Sequence, residues 1–357
     1  MTRRMITIAM VAAVIAVLVV QTAQAPSTRY DDPLWIARGE RAIWTVDRPA
    51  DRFLAVDVPG LCRLAYWLPL RLVKGRGASI PTDYTLEPRA NARRGAHAQP
   101  DKVLWCRLPN LIAFLGGLLC LYAAALNILK SPWWAVVPLA PFLISPTFPL
   151  TVLPRLGPDV FLFAGLCAFL AVWLWLHERN RAGDWVAVVL MGIFGGICVS
   201  AKINGALVLI AYCVWLCRRH PVKAICTGLL AFCIFYGMNP GFYGLWPHRL
   251  VRAILERRLA IIAQWSMRYE VMGRTELLSE LIPCWPVVPV FVVAMWQKRR
   301  EWWAGPVMLW GSFLTAGTLL SVNKLSACYS APAELGLFFA GSLAVVVCLL
   351  QPRHPVT

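Results

Sequence analysis

The sequence predicts an all-α integral membrane protein, and three observations carry that prediction. Only 15% of the residues are charged, against roughly 25% in a soluble domain. Apolar runs long enough to cross about 30 Å of hydrocarbon recur along the chain. Basic residues gather in alternate short loops between those runs, the pattern of cytoplasmic loops in a multispanning protein. With 59% hydrophobic residues, 17 Trp and a mean hydropathy of +0.61 over 357 residues, most of the chain belongs in a bilayer. The formal charge of +17 suits anionic headgroups or a phosphorylated substrate. It does not argue for nucleic acid, because the basic residues sit in loops between spans and no nucleic-acid-binding motif is present.

The elements follow in order. Residues 5–24 form a first apolar span behind the basic flank MTRR, ending in Ala23-Gln24-Ala25. The small-residue ending resembles a cleavage site, but Pro26 and the multispanning remainder favour a retained signal anchor. Residues 26–108 form a first external loop carrying nine of the 18 acids. Within it, residues 61–73 mix apolar and aromatic positions with Arg63 and Arg71, a pattern that predicts an interfacial amphipathic helix. Nine further spans are expected over about 109–129, 132–150, 160–176, 185–201, 203–217, 223–239, 281–297, 304–322 and 331–350. Their total of about ten places the N- and C-termini together on the cytoplasmic side of an inner or plasma membrane. Residues 241–280 then form a second external segment, with a basic helix lying on the membrane surface. The chain reads as one polytopic membrane domain over 1–357, without tandem repeats.

Twelve cysteines and five histidines offer no CxxC pair and no HExxH, so no metal and no cofactor is predicted from spacing. Most of the thiols fall within apolar runs as small hydrophobes. Cys62, Cys106 and Cys328 are placed in external loops, and Cys62 and Cys106 are candidates for a disulfide.

Candidate chemistry lies at the external membrane face. Asp31 and Asp32 follow the first span. They read either as a cap before Pro33 opening a helix or as a general base, since close carboxylates raise one another's pKa. Arg155 and Asp159 fall in a link containing Pro146, Pro149, Pro154 and Pro158. An acid against an apolar run is a functional hypothesis, with an Arg155–Asp159 pair or a helix cap as the structural alternative. Lys202 breaks the run MGIFGGICVSAKINGALVLIAY and either snorkels to the interface or holds a lipid phosphate. His248 and Gln264 in the second external segment are candidate polar contacts.

The order of these features resembles the GT-C membrane glycosyltransferases, the family of protein O-mannosyltransferases and of the bacterial aminoarabinose transferases of lipid A. The resemblance rests on Asp31-Asp32 after span one and on Arg155 and Asp159 before span four. It extends through GIFGGICVSAKINGALVLI, NPGFYGLWPHRL and CYSAPAELGLFFAG. It implies a GT-C-like fold and an enzyme that moves a sugar from a polyprenyl-phosphate carrier to a protein, lipid or glycan acceptor, with inversion. Asp31 or Asp32 would be the base, Asp159 would support the site, and Arg155, Lys202 and Arg63 would contact the donor phosphate. Lys324 and Tyr329 would be substrate contacts. The chain has Asp-Asp where the family often has Asp-Glu, so the choice of base stays open. A transporter or flippase of polyprenyl-linked saccharides is the competing expectation. It would place polar groups at mid-span, whereas these acids gather at one membrane face.

Overall fold

The computed structural model describes residues 16–20, 22, 35–36, 39–40, 60–72, 99–144, 148, 152–239, 287–321 and 327–350, and every regular element among them is helical. The helices are α1 (Gly60–Leu72), α2 (Pro100–Leu129), α3 (Ala140–Ile144), α4 (Asp159–Glu178) and α5 (Trp185–Ala201), followed by α6 (Ala206–Cys217), α7 (Pro221–Gly237), α8 (Val287–Gln297), α9 (Ala304–Ser321) and α10 (Ala327–Leu350). Helices α2 and α4 and residues Pro332–Leu350 of α10 are long and apolar enough to cross a membrane. The helices α5, α6 and α7 are shorter and equally apolar.

The local sequence explains the boundaries. Pro100 opens α2, where its fixed φ and missing N–H are compatible with the first helical turn. Lys130, in the left-handed region at φ 53, closes it and donates its N–H to the Leu126 carbonyl. The helix therefore begins at Pro100 rather than at 109. At about 1.5 Å per residue it reaches roughly 45 Å, longer than a bilayer core. Its extra turns carry the buried cations Lys102 and Arg107. The expected span 132–150 is not one continuous helix over the described residues. A 3-10 segment over Trp134–Leu139 contains Pro138 and passes into the five-residue α3. Together they rise about 20 Å, short of a bilayer core. Proline removes a helical N–H and clashes with the preceding turn, and Pro132, Pro138 and Pro141 punctuate this stretch.

The α4 helix is the central post, packed on α2 and α5; α5 packs in turn on α7, α6 on α7 and α9, and α10 on α9 and α8. Small residues let the posts approach. A Cβ at Gly165 would stand 3.0 Å from the Cys198 sulfur, and one at Gly196 would stand 2.8 Å from the Ala231 carbonyl oxygen. The outer helices leave apolar side chains uncovered, among them Leu104, Ile112 and Leu119 on α2 and Val222, Ile225 and Leu229 on α7. Such continuous apolar surface belongs against lipid.

Helix α1 matches the predicted amphipathic segment closely, with one difference. Cys62, Tyr66 and Leu70 form its buried stripe, but the opposite stripe is Leu64, Leu68 and Leu72, all exposed. Both faces are thus apolar, and the cation Arg71 lies over the Trp67 ring at 5.7 Å. Cys62 lies in the expected interfacial helix, whereas Cys106, expected in a loop, lies in α2; both side chains are buried in the core and no disulfide joins them.

Consecutive helices run back and forth, so the bundle has two chemically distinct ends. One end gathers Asp159, Lys202, Asn239 and the start of α1. The other gathers Lys130, ion-paired with Glu178 at 2.5 Å, and the turns 179–184 and 218–220. His177 stacks on Trp302 at 6.2 Å, which brings the Lys298–Arg300 turn to this second end as well. The short basic loops singled out in the sequence, as far as they are described, therefore share one end of the fold.

Candidate functional site

The first end is built around an ion pair. Asp159 is the first residue of α4, with Pro158 preceding it and no side-chain cap. It is therefore a first-turn acid favoured by the helix dipole rather than a capping residue. Its partner comes from the break between α5 and α6. Lys202 adopts extended backbone (φ −162, ψ 143), and a 3-10 turn over Ile203–Gly205 starts the return. Gly205 is required there, because a Cβ would stand 2.3 Å from the Cys198 carbonyl. The turn delivers the Lys202 ammonium to Asp159 at 2.6 Å, with side chains 20% and 11% exposed. Asp159 thus pairs with Lys202, a contact the sequence expectation of an Arg155–Asp159 pair did not contain.

The loop before Asp159 is fixed by buried donors. Arg107 donates from Nε to the Pro154 carbonyl at 3.1 Å and from Nη1 to the Thr22 carbonyl at 3.0 Å. Asn110 Nδ2 donates to the carbonyls of Leu153 (3.2 Å) and Arg155 (2.8 Å). The Tyr66 hydroxyl accepts the Gly157 N–H at 2.8 Å and donates to Asn110 Oδ1 at 2.9 Å. Residues 153–155 and 157 are therefore held from α1 or α2. Gly157 sits at φ +156, a backbone conformation strained for a residue with a side chain, and packs beside Trp35, where a Cβ would make ordinary contact 3.6 Å from the indole nitrogen. The Trp35 ring meets Tyr66 edge-on at 6.5 Å.

Buried networks of this kind are sensitive to deletion. Tyr66→Phe strips the Gly157 N–H of its acceptor in a dry site, and is expected to destabilise the chain by about 1–3 kcal/mol in denaturant unfolding. Next to the pair, burial pushes the Cys62 thiol well above its ordinary range; the Asp159 carboxylate adds to that rise and the Lys202 ammonium opposes it. Cys62 is consequently a neutral packing group, not a nucleophile.

Asp159 also lines a narrow, mostly apolar cleft with Phe148, Leu162, Phe163, Leu166, Pro332 and Leu335. The cleft runs between α4 and the start of α10. Arg155 and Arg63 are both half-buried at this end, Arg155 in the clamped loop and Arg63 in the first turn of α1. The structure therefore brings Asp159, Lys202, Arg155 and Arg63 to one end of the bundle. Asp31, Asp32, His248, Gln264 and Lys324 lie outside the described residues. Tyr329 lies within α10 by its backbone, and its side chain is likewise outside them.

Several polar residues at this end were not singled out in the sequence. Tyr66, Arg107 and Asn110 form the clamp, and Asn239 accepts the Gly60 N–H through Oδ1 at 2.9 Å. Glu334 is buried in α10 between two residues that line the cleft. An acid within a 19-residue apolar span was the available signal. Among the described residues, no group of three or more His, Cys, Asp or Glu side chains is arranged to hold a metal ion. No protein-family model matches the chain, and no curated protein matches it.

Proposed function

We propose that this chain is an integral-membrane glycosyltransferase of GT-C-like, ten-span architecture. It moves a sugar from a polyprenyl-phosphate carrier to an acceptor at the external face of an inner or plasma membrane. The observation that carries this reading is the Lys202–Asp159 pair, 2.6 Å apart, whose Asp159 lines a narrow apolar cleft of about 10 Å³. A polyprenyl phosphate presents the complementary chemistry, an anion on a long apolar tail. The ammonium of Lys202 exchanges its carboxylate partner for the donor phosphate, with Arg155 and Arg63 at the same end as further cations. The basic loops lie at the opposite end, which by the positive-inside rule supports a cytoplasmic side for that end and an external one for the pair.

The chemistry balances with the chain's own groups. Asp31 or Asp32 takes the proton of the acceptor hydroxyl. The oxygen attacks the anomeric carbon, the bond from that carbon to the phosphate oxygen breaks, and polyprenyl phosphate leaves with the electron pair. Positive side chains aimed at the departing phosphate stabilise the charge it gains. Trp35, three residues after Asp32 in the chain, packs beside Gly157 in the clamped loop, which supports joining the acidic pair to this site. His248, Gln264, Lys324 and Tyr329 remain proposed substrate contacts.

A transporter of polyprenyl-linked saccharides is the second reading, favoured by one observation: a cavity lies at the other end of the same bundle. The two are separated with the full chain in lipid nanodiscs and vesicles, offered a panel of polyprenyl-phosphate sugars. Release of polyprenyl phosphate, followed by mass spectrometry, is expected. Movement of labelled lipid between leaflets without release would replace the enzyme by the transporter.

A further inference from the structure

The second cavity lies where α4, α5, α6 and α7 meet at the basic end, about 27 Å from Asp159 along α4 at 1.5 Å per residue. It encloses about 530 Å³ and is lined by His177, Asp184, Trp215, Arg218, Arg219 and Lys223, among others. Its charges are not mutually cancelled. The carboxylate of Asp184, the one acid among the lining residues, is engaged by Arg181 at 3.2 Å. Lys223 Nζ donates to the Gly183 carbonyl at 2.7 Å, which fixes the ammonium at the cavity wall. Arg218 and Arg219 are exposed and have no carboxylate partner among the described residues. His177 Nδ1 is buried there without a hydrogen-bond partner among the described residues. The first turn of α7, opened by Pro221 without a side-chain cap, adds the positive end of a helix dipole.

The depth of the cavity identifies what reaches it. Arg179 lies over Trp175 at 4.4 Å, Lys223 over Trp185 at 5.6 Å and Arg299 over Trp296 at 4.4 Å. Trp185 and Trp296 are largely exposed. Tryptophans paired with cations around one end of an apolar bundle mark the headgroup level of a bilayer. Paired guanidiniums beside an ammonium match a tetrahedral phosphate with several acceptor oxygens.

We propose that this cavity binds a phosphate group, supplied by an anionic lipid headgroup of the leaflet at the basic end. The site is separate from the Asp159–Lys202 pair and does not rest on the transfer reading. The test uses the full chain in phosphatidylcholine nanodiscs doped with phosphatidic acid, with lipids retained on the protein counted by native mass spectrometry. Arg218→Gln with Arg219→Gln is compared with Arg299→Gln with Arg300→Gln, which removes the same charge from the same end outside the cavity. Both pairs are exposed, so both variants are expected to fold, and their unfolding midpoints check this.

The cavity variant is expected to lose at least about tenfold in phosphatidic acid affinity, the scale for removing charge-assisted hydrogen bonds to a bound phosphate. The control should lose less than about twofold, because it leaves the cavity lining intact. Inorganic phosphate is then titrated against the bound lipid. Displacement only at high concentration supports the headgroup as the source; displacement at low millimolar supports the phosphate site and assigns it to a soluble phosphate ester. Equal losses from the two double variants, or retention no greater than that of phosphatidylcholine, would overturn the proposal.

Discussion

Lys202→Met is expected to destabilise the chain by about 3–5 kcal/mol, and adding Asp159→Asn is expected to restore most of that loss. The asymmetry follows from the burial of the pair. With 11% of the Asp159 side chain exposed, water cannot replace the ammonium at 2.6 Å, so the single variant leaves a carboxylate largely dry. The double variant leaves a neutral amide at the start of α4, a position that needs no charge to form the helix. Chemical denaturation of the two single variants and the double closes the cycle. A coupling of several kcal/mol is the expected result. Losses that simply add would show that the pair is not coupled, and would remove the ion pair as the organiser of this end of the bundle. The pair contributes little net stability when intact, since desolvation offsets attraction. Its retention in so apolar a bundle is therefore better explained by a task than by folding.

Gly60→Ala is expected to have a comparable effect through sterics alone. An added Cβ would fall 1.5 Å from the Met238 carbonyl oxygen, in backbone that has no rotamer to yield. The clash pushes α1 off the end of α7 and breaks the Gly60 N–H to Asn239 hydrogen bond of 2.9 Å. Overpacking and a lost buried bond together suggest a loss of about 3 kcal/mol. Because α1 carries Tyr66, the same change loosens the clamp on Gly157. Gly116→Ala, in the middle of α2 with nothing within 4 Å of the new Cβ, is expected instead to stabilise by about 0.5–1 kcal/mol. Unfolding midpoints of the two variants moving in opposite directions would support this packing. Equal small shifts would mean that α1 does not dock on α7.

The legible parts of the fold were those set by local chemistry. The α5 boundaries, Trp185–Ala201, agree with the run read from sequence, because Asp184 precedes it and Lys202 ends it. The α4 helix extends its expected run by only one residue at the start and two at the end. The apolar composition of 132–150 reads as a span, and hydropathy does not record the 3-10 segment over Trp134–Leu139 that contains Pro138. At the site, Asp159 and Lys202 were both legible as charges at one membrane face. Their pairing was not, because it depends on the α5–α6 turn bringing together residues 43 apart in the chain. Tyr66, Arg107 and Asn110 were illegible for a similar reason. A single polar residue in an apolar run looks the same whether it clamps a loop or faces a headgroup. Cys62 falls in the helix expected over 61–73, whereas Cys106 falls in the first turns of α2, which the loop reading of residues 26–108 did not include.

The proposed sugar transfer assigns the base to Asp31 or Asp32 and a supporting role to Asp159. The most direct test follows polyprenyl phosphate release by the full chain in nanodiscs, with its best donor and an acceptor extract, for Asp31→Asn, Asp32→Asn and Asp159→Asn. Release is expected to collapse by about a hundredfold or more in one of the first two, which names the base. A smaller loss is expected in Asp159→Asn, whose proposed role is to position Lys202 without taking the proton. Release that survives in all three variants would rule out sugar transfer by these acids.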